Sequence, residues 1–141
     1  WKAEVLSQLD RQDEALPLIN KIRQRAANSL ENLKTADGSY ILNYKCELYK
    51  PGVNCTWTKE FAWKAMEWEN RLELACEGRR FFDLQRWGTL EKTMNAYFAV
   101  ERNRFDWMNI ARFTAGRDEF FPISQAQMKW AKGSYTQNPG Y

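Results

Sequence analysis

The chain has 141 residues, 44% of them hydrophobic and 28% charged, with a formal net charge of +3; this is the length and balance of one ordinary globular domain with material for a core. Its small charge comes from interspersed signs and offers no basic stripe for nucleic acid. Histidine is absent, which removes Ser-His-Asp and Cys-His nucleophile systems and any His-ligated metal, and Cys46, Cys55 and Cys76 form no CxxC pair for zinc.

The aromatic content stands out: seven Trp, eight Phe and six Tyr make up 15% of the chain. Most such rings pack into cores, but this many implies that some face a ligand or partner. Apolar runs are only a few residues long, too short for a membrane-spanning helix. The chain opens on Trp1 and enters a helical pattern at once, as expected of a piece of a longer protein.

Residues 1–9 read as the end of an amphipathic helix with Val5, Leu6 and Leu9 on one face. After a polar break, a second helix is expected from about Gln12 to Asn28. Ala15, Ile19, Ile22 and Ala26 form its apolar stripe, and Pro17 is tolerated only in a first turn. Residues 1–33 thus make a helical hairpin, the unit of tetratricopeptide-like solenoids, and such a pair needs neighbours to bury both faces. Residues 34–57 form a loop excursion in which 40–44 and 46–49 have the composition of short extended segments. Cys46 and Cys55 flank Pro51-Gly52 there, and a disulfide between them would close the excursion, as suits an oxidising compartment. Cys76 falls in a helical pattern and is expected to be a buried free thiol.

The next block, 58–105, opens with Thr58 as N-cap and Glu60 in the first turn. Phe61, Ala65, Trp68, Leu72 and Ala75 step at helical spacing, Gly78 punctuates the run, a second helical stretch reaches Trp87, Gly88 ends it, and a further helix spans about Thr89 to Arg104. In 106–141, a loop leads to an extended Phe120-Phe-Pro-Ile123, since a residue before proline avoids the helical region. Ser124-x-x-Gln127 is a capping box for a short helix, and a polar tail follows.

Glu69 to Gly88 reads ENRLELACEGRRFFDLQRWG. On a continuous helix Glu73 and Glu77 share a face, as a carboxylate pair for acid–base work would. Arg71, Arg79, Arg80 and Arg86 lie close by, however, and Arg79 stands i, i+4 to Asp83. A carboxylate beside guanidinium stays ionised and is a poor general acid, so a structural ion-pair cluster is favoured over catalysis; no catalytic residue, metal or cofactor is expected.

The same segment resembles the signature of the SusD/RagB family, roughly ER-x-x-ELA-x-EG-x-R-x-x-DL-x-RWG. Arg71, Glu73-Leu74-Ala75, Glu77-Gly78, Arg80, Asp83-Leu84 and Arg86-Trp87-Gly88 occupy its places, with Asn70 and Cys76 as departures. Three more segments agree in order: Ala15 to Ala26 is similar to the family's AL-x-x-IN-x-IR-x-RA, Phe121-Pro122-Ile123-Ser124 to FPIP, and Gln137-Asn-Pro-Gly-Tyr141 to a common C-terminal ending, which implies a native C-terminus.

The resemblance implies a mainly α fold of tetratricopeptide-like helix pairs with long loops, of which this chain is the C-terminal portion. It implies an outward-facing outer-membrane protein, lipid-anchored through an upstream cysteine. Such a protein captures glycans or other nutrients for import through a partner SusC-like TonB-dependent transporter and does no covalent chemistry. Sugar binding needs aromatic faces and polar neighbours, and the loop candidates are Tyr40, Tyr44, Tyr49, Trp57 and Trp107, with Asn54 and Asn109 beside them; Trp87 is assigned to the core. Two other readings stand beside nutrient binding: a structural docking module whose ligand site lies upstream, and a glycoside hydrolase built on a carboxylate pair.

Overall fold

Helical periodicity sets the architecture. In the computed structural model, which describes residues 1–41 and 45–141, the described residues are helices and turns with two isolated bridges, Lys34 with Tyr40 and Pro51 with Cys55. The segments 40–44 and 46–49 were expected to extend; 46–49 forms no strand, and 42–44 lies outside the described residues. The chain divides into two units, Trp1–Ala75 and Cys76–Tyr141; the boundary falls inside the block 58–105 and inside the signature run.

The first unit holds α1 (Lys2–Gln8), α2 (Gln12–Asn28), a 3-10 turn (Ser29–Leu33) and α3 (Lys59–Glu73), with the three helices packed against one another in every pairing. Ala15 and Ile19 on α2 are buried, as the stripe predicts, and Ile22 and Ala26 are half-buried. Pro17 corrects the first-turn expectation: α2 starts at Gln12, so the ring sits in its second turn and removes one donor to the Asp13 carbonyl. Tertiary burial on both sides of Pro17 holds the helix through the gap.

Two predicted stripes are rotated. On α1 the buried residues are Glu4, Leu6 and Ser7, leaving Val5 and Leu9 exposed. On α3 they are Ala62, Ala65 and Met66, leaving Trp68 and Leu72 exposed. The face of α3 that continues from Ala62 and Ala65 through Glu69 to Glu73 is turned toward α2, where Glu69 and Glu73 bind Arg23 and Arg25. The small alanines permit close approach there. Thr58 caps α3 as predicted, its hydroxyl accepting from Phe61 N–H at 3.2 Å.

α3 ends at Glu73, and residues 74–78 form turns with Cys76 at φ 66° and Gly78 at φ 69°. Cys76 is therefore exposed rather than buried in a helix; a left-handed non-glycine residue costs on the order of 1 kcal/mol. The same break takes Glu77 off the helix face it was expected to share with Glu73.

The second unit contains α4 (Arg80–Arg86), α5 (Leu90–Glu101), a 3-10 turn (Asp106–Met108) and α6 (Gln125–Trp130). Its core is Leu84, Leu90 and Phe113, with Phe81, Trp87, Met94 and Phe98 packed around them. Gly88, at φ 68°, makes the sharp turn from α4 into α5, and Ser124 caps α6 by accepting from Gln127 N–H at 3.3 Å. The tail folds back on the extended segment before α6. Gln137 accepts from Ile123 N–H at 2.8 Å and donates to Ile123 O at 2.9 Å, Asn138 donates to Phe121 O at 2.6 Å, and Tyr141 Oη donates to Phe120 O at 3.1 Å. Two short segments singled out in the sequence, Phe121–Ser124 and Gln137–Tyr141, are thus partners.

Candidate functional site

The signature residues are placed by packing and charge. Asp83 on α4 is 3% exposed, a position where a carboxylate needs partners. Arg86, one turn on, gives it two N–H bonds at 3.1 and 3.0 Å, both to Oδ1. The guanidinium groups of Arg80 and Arg86 lie 5.7 and 5.2 Å from the centre of the Trp87 ring, within cation–π range, and Trp87 packs on the core. Arg71 lies 5.0 Å over Trp68. Glu73 is bound to Arg25, and Glu77 is exposed in the turn. The run offers no paired carboxylates facing a shared cleft.

The loop excursion is pinned to the first unit by α2. Asn20 donates to Tyr49 O at 2.9 Å and accepts from Tyr49 N–H at 2.8 Å, as a neighbouring strand would. The Tyr49, Trp57 and Phe61 rings meet pairwise at 5.6–5.8 Å, and Trp57 Nε1 donates to Gln12 O at 3.0 Å. Arg23 lies 4.3 Å over the Tyr49 ring and bonds Glu69 at 2.5 Å. Burial works to lower the Arg23 pKa, but Glu69 outweighs it and raises the value overall. Burial pushes the Tyr49 phenol up, against the opposing charge of Arg23.

Cys46 and Cys55, proposed as a disulfide, are free thiols. Cys46 Sγ contacts Arg23 O at 3.5 Å. The loop is closed by other means: Gly52 N–H donates to Cys55 O at 3.0 Å, while Asn54 donates to Leu48 O at 2.9 Å and accepts from Lys50 N–H at 2.7 Å. Asn54 is accordingly committed to the loop's own backbone.

The five candidate ligand aromatics therefore fall into different settings. Tyr49 and Trp57 come together, half-buried, as packing. Tyr40 is 56% exposed, its hydroxyl donating to Glu31 at 3.2 Å and its ring 5.1 Å from Lys34 Nζ. Trp107, in the second unit, is 70% exposed and tilts 36° against Phe105 at 5.8 Å, with Asn109 at the end of the same turn. Tyr44 lies outside the described residues.

One cleft was not anticipated. Between the C-terminal end of α1 and the first turns of α3, Ser7, Gln8, Lys59, Glu60 and Trp63 line a space of about 600 Å³. Periodicity could not reveal it, because it is made by two helices meeting; the available signal was Trp63, an indole just off the predicted stripe of α3. Among the described residues no group of three acidic or cysteine side chains is arranged to hold a metal, and no helix is long and apolar enough to cross a membrane.

The whole chain, residues 1–141, matches the model of the SusD family. It is 32% identical over 106 residues to a SusD-like protein of Formosa agariphila, an alignment covering 75% of this chain and 18% of that relative. The chain thus spans about a fifth of the length of the curated relative it matches. Together with the helical architecture and the ordered motifs, these matches show that the chain belongs to the SusD family.

Proposed function

We propose that this chain is part of a surface protein that captures a glycan or another nutrient at the outer membrane. It would hand its ligand, without covalent chemistry, to a SusC-like TonB-dependent transporter, and would be held at the membrane by a lipidated cysteine upstream. The observation that carries this reading is the family match along all of residues 1–141. Two observations support a non-catalytic role: of the carboxylates weighed for acid–base chemistry, Glu73 is bound to Arg25 of the scaffold, and Glu77 lies in an exposed turn off the helix face.

The test is binding by the full-length protein to a broad panel of oligosaccharides and peptides, followed by substrate analysis after incubation. The expected result is saturable binding of at least one class with the ligand recovered intact; binding to nothing in the panel refutes the reading. A second reading is favoured by Tyr49 and Trp57, whose rings are taken up in internal packing. On that reading this portion docks the transporter while the ligand site lies elsewhere in the protein. Replacing Tyr40, Tyr44, Trp63 and Trp107 together separates the two, since unchanged ligand affinity supports docking alone.

A further inference from the structure

Gln137 closes a loop in the second unit. It accepts from Ile123 N–H at 2.8 Å and donates to Ile123 O at 2.9 Å, so the two ends of residues 123–137 are held side by side, in the manner of a compact Ω-loop. Inside the loop, α6 is capped by Ser124 and ends in a turn where Ser134 N–H donates to Ala131 O at 2.9 Å. Ala131 is buried and Met128 half-buried, which fixes the inner side of α6. The outward residues follow: Trp130 is 77% exposed and Tyr135 47%, with Lys129 and Lys132 exposed as well.

The charge of this loop is one-sided. No Asp or Glu occurs in residues 120–141, although the chain carries 18 of them. Lys129 and Lys132 make no ion pair among the described residues, whereas Lys34, Lys45 and Lys59 each meet a carboxylate. The loop thus presents an indole, a phenol and two uncompensated ammonium groups on long apolar stems. That combination fits a water–lipid boundary. Aromatic rings with a polar edge settle at headgroup level, and lysine stems lie along apolar surface while their heads reach the polar layer. An anionic headgroup layer also complements the charge, since it attracts each nearby lysine. Size argues against a protein partner, because a stable protein interface takes about 20–30 residues a side.

We propose that the loop 123–137 is a lipid-contact element: Trp130 and Tyr135 enter the headgroup layer of an anionic membrane, and Lys129 and Lys132 pair with its phosphates. The assignment rests on the outer-membrane placement in the proposed function and adds to the upstream anchor a second point of contact.

The test is flotation of the full-length protein, prepared without any acyl chain, with vesicles of phosphatidylcholine alone or mixed with phosphatidylglycerol. Hydroxyl-radical footprinting of Trp130 is read alongside. Binding is expected to the mixed vesicles in preference to phosphatidylcholine alone, with Trp130 oxidised readily in the free protein and protected by the mixed vesicles. Replacing both lysines, as Lys129→Gln with Lys132→Asn, should weaken binding about 30-fold, about fivefold for each ammonium. Trp130→Ser should weaken it about tenfold or more. All three positions are exposed, and asparagine tolerates the left-handed backbone of Lys132, at φ 47°, so the thermal melt should not move. Wild type that ignores the mixed vesicles overturns the proposal, as does binding that both variants retain. Trp130 shielded in the free protein also overturns it, because the remainder of the protein then covers the loop. Those three results leave nutrient capture standing, since the oligosaccharide and peptide panel tests it separately. An empty panel with vesicle binding intact overturns capture and leaves the lipid contact.

Discussion

Asn20 carries an effect that the structure lets one size in advance. Its amide forms two bonds to the backbone of Tyr49, at 2.9 and 2.8 Å, both partly buried. Tyr49 has no sheet neighbour, so these bonds stand in for a strand ladder. Each is worth about 1 kcal/mol net, and an abandoned, partly buried backbone group costs somewhat more. Asn20→Ala should therefore destabilise the attachment of the loop by about 2–3 kcal/mol. Because the chain forms two units, a global melt would dilute the effect. Amide hydrogen exchange across residues 45–57 reads it directly, and protection there should fall by roughly 30- to 150-fold. Asn20→Asp is the sharper control: it keeps an acceptor for Tyr49 N–H but sets a carboxylate oxygen against Tyr49 O, so it should lose at least as much. Protection within about threefold of wild type in Asn20→Ala would refute the claim that this amide holds the loop.

Four other outcomes are expected. Gly140 has φ 84°, and a Cβ there would lie 2.8 Å from Arg117 Cγ, displacing the guanidinium from its place 4.9 Å over Tyr141. Gly140→Ala should thus cost about 1–2 kcal/mol in the second unit, visible as a lower urea midpoint; an unchanged midpoint contradicts the tail clasp. Asp37 accepts from the Thr35 and Ser39 side chains and from Ser39 N–H, which lowers its pKa from 3.8 to about 2. Since the folded value is depressed, the stabilisation is present above pH 3.8 and disappears as pH falls through about 2; NMR of the turn at 35–39 should show this, and Asp37→Asn should abolish the dependence. Glu73→Gln should shift stability by no more than about 1 kcal/mol, as an ion pair open to solvent does, and should leave reducing-sugar release at background. Release by wild type that the variant loses would restore the hydrolase reading. A reductant should leave the melting temperature unchanged, with three thiols titratable in the unfolded chain; a reductant-induced fall would indicate a disulfide.

Legibility in the sequence followed the range of the forces involved. Helix existence and caps at Thr58 and Ser124 depend on residues within one or two turns and could be read locally. The buried faces of α1 and α3 could not, because they depend on contacts distant in sequence: the Arg23–Glu69 and Arg25–Glu73 pairs on the face of α3 that meets α2 join residues more than forty positions apart. The exposed apolar residues are as legitimate a stripe by spacing as the buried ones. Cys46 and Cys55 misled for a related reason: spacing permits a disulfide, but the closure is already made by Asn54 and backbone bonds whose pattern leaves no compositional mark.

Side-chain amides recur as the fasteners of the irregular segments. Asn20 pairs with both backbone groups of Tyr49, Gln137 with both of Ile123, and Asn95 with both of Phe113, at 2.9 and 3.0 Å. A primary amide presents one acceptor and one donor side by side, so it can complete the N–H and C=O of a single extended residue where no strand is available. Two of the pinned residues lie in aromatic or core packing, Tyr49 against Trp57 and Phe61 and Phe113 in the core of the second unit, and Ile123 adjoins the segment held by the tail. That division of labour explains why the identifying motifs say little about the ligand. Asn20, Gln137 and the charges around Asp83 fasten and orient the scaffold, whereas the cleft at Trp63 and the exposed rings of Tyr40 and Trp107 lie outside those motifs.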